Sequence, residues 1–165
     1  METKPVSNRM YSLIVLYDMH TNFLAKALDG ITEKDAQNRL NTKANHIAWL
    51  TGSLVQQRFE IAKNLGVEHT QAANELFKDN KGIQDNVSYP SLADFKKDWD
   101  IISPQLREAF VTVTDERLDR KFEMMPGYII PFFDLLTFMI YREANIIGQI
   151  ALWRRLLGYE GMKYM

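Results

Sequence analysis

The chain has 165 residues, enough for one domain with a sizeable core. Its hydrophobic content is 46% and its charged content 25%, as in an ordinary globular protein. Lys plus Arg number 20 against 21 Asp plus Glu, and no cysteine occurs. This excludes a global field that gathers nucleic acid or an anionic membrane surface, and with it disulfides, thiolate metal sites and cysteine nucleophiles.

The opening Met-Glu-Thr-Lys-Pro lacks an apolar signal-peptide core. The longest apolar region, Met124 to Tyr141, is interrupted by Pro126, Pro131 and Asp134. It falls short of the roughly 20 apolar residues that a bilayer span needs. The expectation is a soluble cytoplasmic protein with neither a membrane nor a nucleic-acid partner.

In chain order, the first long helix is expected from Ser7 to Leu28, stopped by Gly30. Leu13, Leu16, Tyr17, His20, Leu24 and Ala27 share its inward stripe. Thr32 and Asp35 resemble a capping box for a short helix over Glu33 to Leu40. A second long helix runs from Asn45 to Leu65, with Gly66 beyond. His46, Ser53, Gln57 and Glu60 share one side of it, flanked by Trp49, Leu50, Leu54 and Ile61. Ala48 and Gly52 mark a close approach of another element. His46 reads as a neutral end-of-helix residue and His20 as a core histidine, not as metal ligands.

A short helix over Gln71 to Phe77 and a polar loop from Lys78 to Asn86 lead to Tyr89-Pro90, where Ser91 is a good N-cap. The third long helix covers Leu92 to Val113, with a kink or break expected near Ile101 to Ser103 ahead of Pro104. Thr114 to Lys121 offers a turn of helix. Phe122 to Ile130, with Pro126-Gly127, reads as a loop with extended pieces. The last helix runs from Pro131 to Gly158 and is apolar nearly all round. Four long helices with varied connections argue for one all-α bundle domain over residues 1–165.

Within that last helix Tyr141, Asn145 and Gln149 recur at steps of four and so share a face. With Asp134 and Thr137 they are expected to turn inward, toward Ser53, Gln57 and His20. Such groups would close a hydrogen-bonded polar layer or line a ligand pocket.

Two runs carry a resemblance. Asn45-His-Ile-Ala-Trp-Leu-Thr-Gly-Ser-Leu54 and Arg142-Glu-Ala-Asn-Ile-Ile-Gly-Gln-Ile-Ala-Leu-Trp-Arg-Arg-Leu-Leu-Gly158 resemble the signature helices of the DinB-like (DNA-damage-inducible) superfamily. Tyr89-Pro-Ser-Leu-Ala-Asp-Phe95, Asp115-Glu-Arg-Leu118 and Asp29-Gly-Ile-Thr32 are similar to it as well. The resemblance implies a four-helix bundle with extra short helices in its connections, often a homodimer. It implies three histidines holding a divalent metal such as Zn or Ni. Some members are thiol-dependent transferases or isomerases. At the three implied ligand positions this chain has Ser53, Tyr141 and Asn145. These are poor ligands for zinc, which takes imidazole, thiolate or carboxylate. His46, seven residues from Ser53, lies roughly 10 Å along the axis and does not substitute.

The expectation is therefore a member with a degenerate metal site and no metal cofactor, binding a small molecule or a partner. Its pocket is lined by Ser53, Tyr141, Asn145, His20, Trp49, Gln57 and Gln149. The alternative is an enzyme, a thiol-dependent transferase or isomerase or a metal-dependent hydrolase-like protein. There Tyr141 would serve as acid and His20 as base. A metal site rebuilt from His20, His46 and Glu60 ranks last.

Overall fold

The computed structural model describes residues 4–164. The first three residues of the opening segment and Met165 of the tail lie outside the described residues. After a short 3-10 turn the chain forms α1 (Tyr11–Leu28), α2 (Glu33–Ala36), α3 (Ile47–Asn64) and α4 (Asn74–Phe77). Then come α5 (Leu92–Thr112), α6 (Asp115–Leu118), β1 (Lys121–Met125), β2 (Tyr128–Pro131) and α7 (Phe132–Leu156). The four long helices pack in a ring: α1 lies on α5 and α7, and α3 on the same two. Among the described residues no helix is long and apolar enough to cross a membrane.

Local chemistry explains the helix starts. Thr32 accepts from the Asp35 backbone N–H and caps α2. Ser91 and Asp94 form a full capping box for α5. His46 is the N-cap of α3, where its Nδ1 accepts from the Trp49 N–H at 3.1 Å. That bond requires an unprotonated Nδ1. Burial first, then the nearby positive charge of Arg39, hold the His46 pKa below its ordinary value.

Gly52 meets its expectation. A Cβ there would collide with the rings of Phe77 and Phe95, which close over the α3 backbone. Tyr17, Leu54, Phe95, Ile102, Leu106, Phe110, Leu136 and Ile150 form the centre of the core.

Three expectations change. Leu16 is 40% exposed, so the buried stripe of α1 runs through Leu13, Ile14, Tyr17, His20, Leu24 and Ala27 instead. α5 continues unbroken through Pro104, because Pro104 and Asp100 face solvent. Water can solvate the carbonyl that proline leaves without its helical partner. The extended pieces after α6 pair as an antiparallel hairpin, Phe122 opposite Ile130, with a bulge between Glu123 and Met125. Gly127 adopts φ 79° at its tip, and the Glu123 carboxylate accepts from the Gly127 N–H at 3.0 Å.

Candidate functional site

The helices bring two polar constellations together. The first fills the centre of the ring and is structural. Arg58 on α3 is 0% exposed and Glu143 on α7 is 1% exposed. Arg58 Nε and Nη2 donate to the two Glu143 oxygens at 2.7 and 2.8 Å, a bidentate fork. Arg58 Nη1 donates to Thr21 Oγ1 of α1 at 2.8 Å and to Ser103 Oγ of α5 at 2.7 Å. The guanidinium carbon lies 3.9 Å from the Tyr17 ring centre and 3.4 Å from that of Trp99, a cation stacked on two aromatic faces. Tyr17 OH donates to the Ser103 carbonyl at 2.9 Å. One arginine thus ties all four long helices.

Burial pushes the Glu143 carboxyl up, but the charge and hydrogen bonds of Arg58, with His20 nearby, outweigh it and hold the carboxyl below the usual glutamate value. His20 points inward as expected. Its Nδ1 sits 3.3 Å from Glu143 Oε2 without the alignment of a hydrogen bond. Burial drives the Tyr17 hydroxyl strongly upward despite Arg58, so it stays a neutral donor.

The second constellation is an open cleft of about 160 Å³. α3 supplies one wall with Trp49, Ser53, Gln56, Gln57 and Glu60, residues three and four apart on one face. Phe77 of α4, with Asn80 and Lys81 beyond it, forms a second wall, and Arg142 of α7 closes the third.

The geometry around Arg142 is well defined. Nη2 donates to Ser53 Oγ and Nη1 to Gln57 Oε1, both at 2.7 Å. Gln57 is turned for this role, because its Nε2 donates to the Met139 carbonyl at 3.3 Å. Burial lowers the Arg142 pKa, with Glu60 and Glu143 pulling the other way, and a guanidinium stays cationic at neutral pH. No carboxylate oxygen lies within 4 Å of it among the described residues. The α3 wall is braced from behind: Gln56 donates to Glu60 at 2.8 Å and to Asn74 at 3.0 Å, while Gln71 donates to Gln56.

Of the residues picked out from the sequence, the cleft gathers Ser53, Trp49, Gln57 and Glu60. The others lie elsewhere. Tyr141 is 65% exposed. Asn145 and Gln149 are exposed too, and Gln149 Nε2 donates to Asn145 Oδ1 at 2.7 Å. Asp134 and Thr137 share that outward face. His20 belongs to the central cluster. A spacing of four places residues on a common face without saying which way it points. The buried stripe of α7 instead includes Leu136, Met139, Ile140, Glu143, Ile146, Ile147 and Ile150. Sequence reasoning passed over Arg58, Glu143 and the Arg142 guanidinium. The available signal was a charge of opposite sign set within the apolar stripe of each of two helices, Arg58 between Leu54 and Ile61, and Glu143 between Met139 and Ile147.

The residues at the implied metal-ligand positions do not fit a divalent cation. Ser53 Oγ already accepts from a cationic guanidinium, which would repel a metal at that spot. The Asn145 carbonyl oxygen is engaged by Gln149, and Tyr141 stands in solvent. Among the described residues no group of three or more His, Cys, Asp or Glu is placed to hold a metal. Comparison of the chain with family models and with curated proteins finds no match.

Proposed function

We propose that this protein is a DinB-like four-helix bundle that has given up the metal and uses the cleft between α3, α7 and the α4 segment to bind a small molecule without catalysing a reaction on it. The observation that carries the reading is the seat of Arg142. A fixed positive charge, oriented by Ser53 and Gln57, stands on Ser53, the one implied ligand position that lines the cleft. Clefts of this kind join apolar walls to a few placed polar groups, and here Trp49 and Phe77 supply the apolar part. The enzyme alternative has less support. Its acid, Tyr141, is in solvent, and its base, His20, is buried against Glu143.

The proposal includes a homodimer. Tyr11, Val15, Leu16 and Met19 on α1 are exposed apolar residues, and so are Phe138, Tyr141, Leu152 and Leu156 on the neighbouring α7. A two-fold contact would cover them.

The test is a fragment screen by NMR with chelator present, read at the Trp49 indole N–H and the Ser53 and Gln57 resonances. Fragments that shift these signals, unchanged by added zinc, are the expected result. A screen in which no fragment touches the cleft, or binding that needs stoichiometric zinc or nickel, would overturn the reading.

A further inference from the structure

We infer that the ligand of this cleft is a small monocarboxylate whose anionic head is held by Arg142; this rests on the small-molecule reading above.

Five other arginines, each anchored to another part of the chain, show what a guanidinium that serves structure alone does here. Arg58 is clamped by Glu143, Arg107 by Asp18, Arg39 by Asp85 and Arg9 by Asp119. Arg154 is tied to the carbonyls of Ala27, Asp29 and Glu160. Arg142 is half-buried on a cleft wall, and its two partners are a neutral hydroxyl and a neutral amide oxygen. Those partners orient the fork and leave it without a carboxylate oxygen within 4 Å among the described residues. A guanidinium has five N–H donors, and the two bonds to Ser53 and Gln57 leave the rest without a partner among the described residues. The planar fork matches a carboxylate in a bidentate geometry.

The rest of the lining narrows the ligand. Lys81 is a second cation on the wall, held by the Glu75 carbonyl at 2.9 Å. Glu60 is the one carboxylate on the wall and is bonded to Gln56. Two cations against one carboxylate favour a single negative charge on the ligand and disfavour a polyanion such as a nucleotide. Trp49 and Phe77, ring centres 6.3 Å apart, offer a flat apolar body its contact. A volume of about 160 Å³ is below the roughly 300–1,000 Å³ of drug-sized sites, so the ligand is small or projects from the mouth.

Calorimetric titration of the wild-type chain with acetate, butyrate, benzoate and phenylacetate, each beside its primary amide, tests this directly. The expected result is saturable binding of at least one acid, with its amide about tenfold or more weaker, as for loss of a charge-assisted hydrogen bond. Arg142→Gln should bring acid binding down to the amide level, with folding checked by circular dichroism. The comparison of acid with amide needs no variant, so a poorly folding Arg142→Gln leaves the test intact. An amide that binds as well as its acid overturns the carboxylate assignment and leaves a small-molecule cleft standing. So does acid binding that a folded Arg142→Gln retains, and so do neutral fragments seated in the cleft when no acid binds. If neither acids nor neutral fragments bind there, both readings fall together.

Discussion

Arg58 and Glu143 are the residues on which the packing depends most. Their charges are almost wholly withdrawn from water. Removing one partner leaves the other buried and uncompensated, which costs about 3–5 kcal/mol. Urea unfolding of Arg58→Met or Glu143→Leu should show losses of that size, whereas the double variant should recover most of the loss. A double variant that loses the sum of the two single losses would mean that the pair contributes little as a pair.

The depressed Glu143 carboxyl also sets a pH signature. Its folded value lies below the unfolded one. Its stabilisation is therefore whole above the ordinary glutamate value of about 4.3 and shrinks as pH falls through that value toward the folded one. Wild type should lose stability over that acid window more steeply than the Arg58→Met/Glu143→Leu double variant, measured as urea midpoints against pH. Matching pH curves would contradict the assignment.

Among the elements, α3 and α7 carry both constellations, and each shows what a helical pattern can and cannot say. Gly52 was legible, because a glycine four residues after Ala48 in an apolar helix has few explanations other than close packing. Gly52→Ala gains about 1 kcal/mol of helix propensity but forces Phe77 and Phe95 aside, at about 1–3 kcal/mol. A net loss of stability is expected in thermal unfolding, and a rise in Tm would refute the close approach.

The Tyr141–Asn145–Gln149 column was legible as a column and misleading as to direction. α7 is apolar over much of its circumference, so the sequence offered no contrast between core and solvent. With Asn145 exposed, Asn145→Leu should change stability by no more than about 0.5 kcal/mol. Pro104 misled as to a break for a related reason: the cost it introduces depends on whether Pro104 and Asp100, whose carbonyl loses its helical partner, face water, and here both do.

At the scale of the whole molecule, four long helices, the glycines beyond three of them and the Thr32 and Ser91 caps followed from periodicity, glycine placement and capping residues. Their ring order was beyond reach, since it is set by contacts far apart in the chain. Thr21, Arg58, Ser103 and Glu143 converge from four separate helices. For the same reason Ser53, Gln57 and Glu60 could be placed on one side of α3 with Trp49 flanking them, while the guanidinium that completes their cleft could not. The tail also closes on the fold: Tyr159 OH donates to Asp35, and Arg154 is buried against the α1 C-terminus. That binding takes Arg154 out of any exposed basic patch.

The exposed apolar residues on α1 and α7 bear on assembly. Sedimentation equilibrium should find a dimer, and Val15→Arg with Leu152→Arg should give a folded monomer. A monomeric wild type would dismiss the proposed contact.

The central claim is that a guanidinium, not a metal ion, supplies the positive charge of the cleft. Calorimetric titration of zinc into chelator-stripped wild-type protein tests it most directly. The account predicts no saturable one-to-one binding, because the Arg142 charge stands on Ser53. Saturable one-to-one binding of zinc that Ser53→Ala abolishes would contradict it.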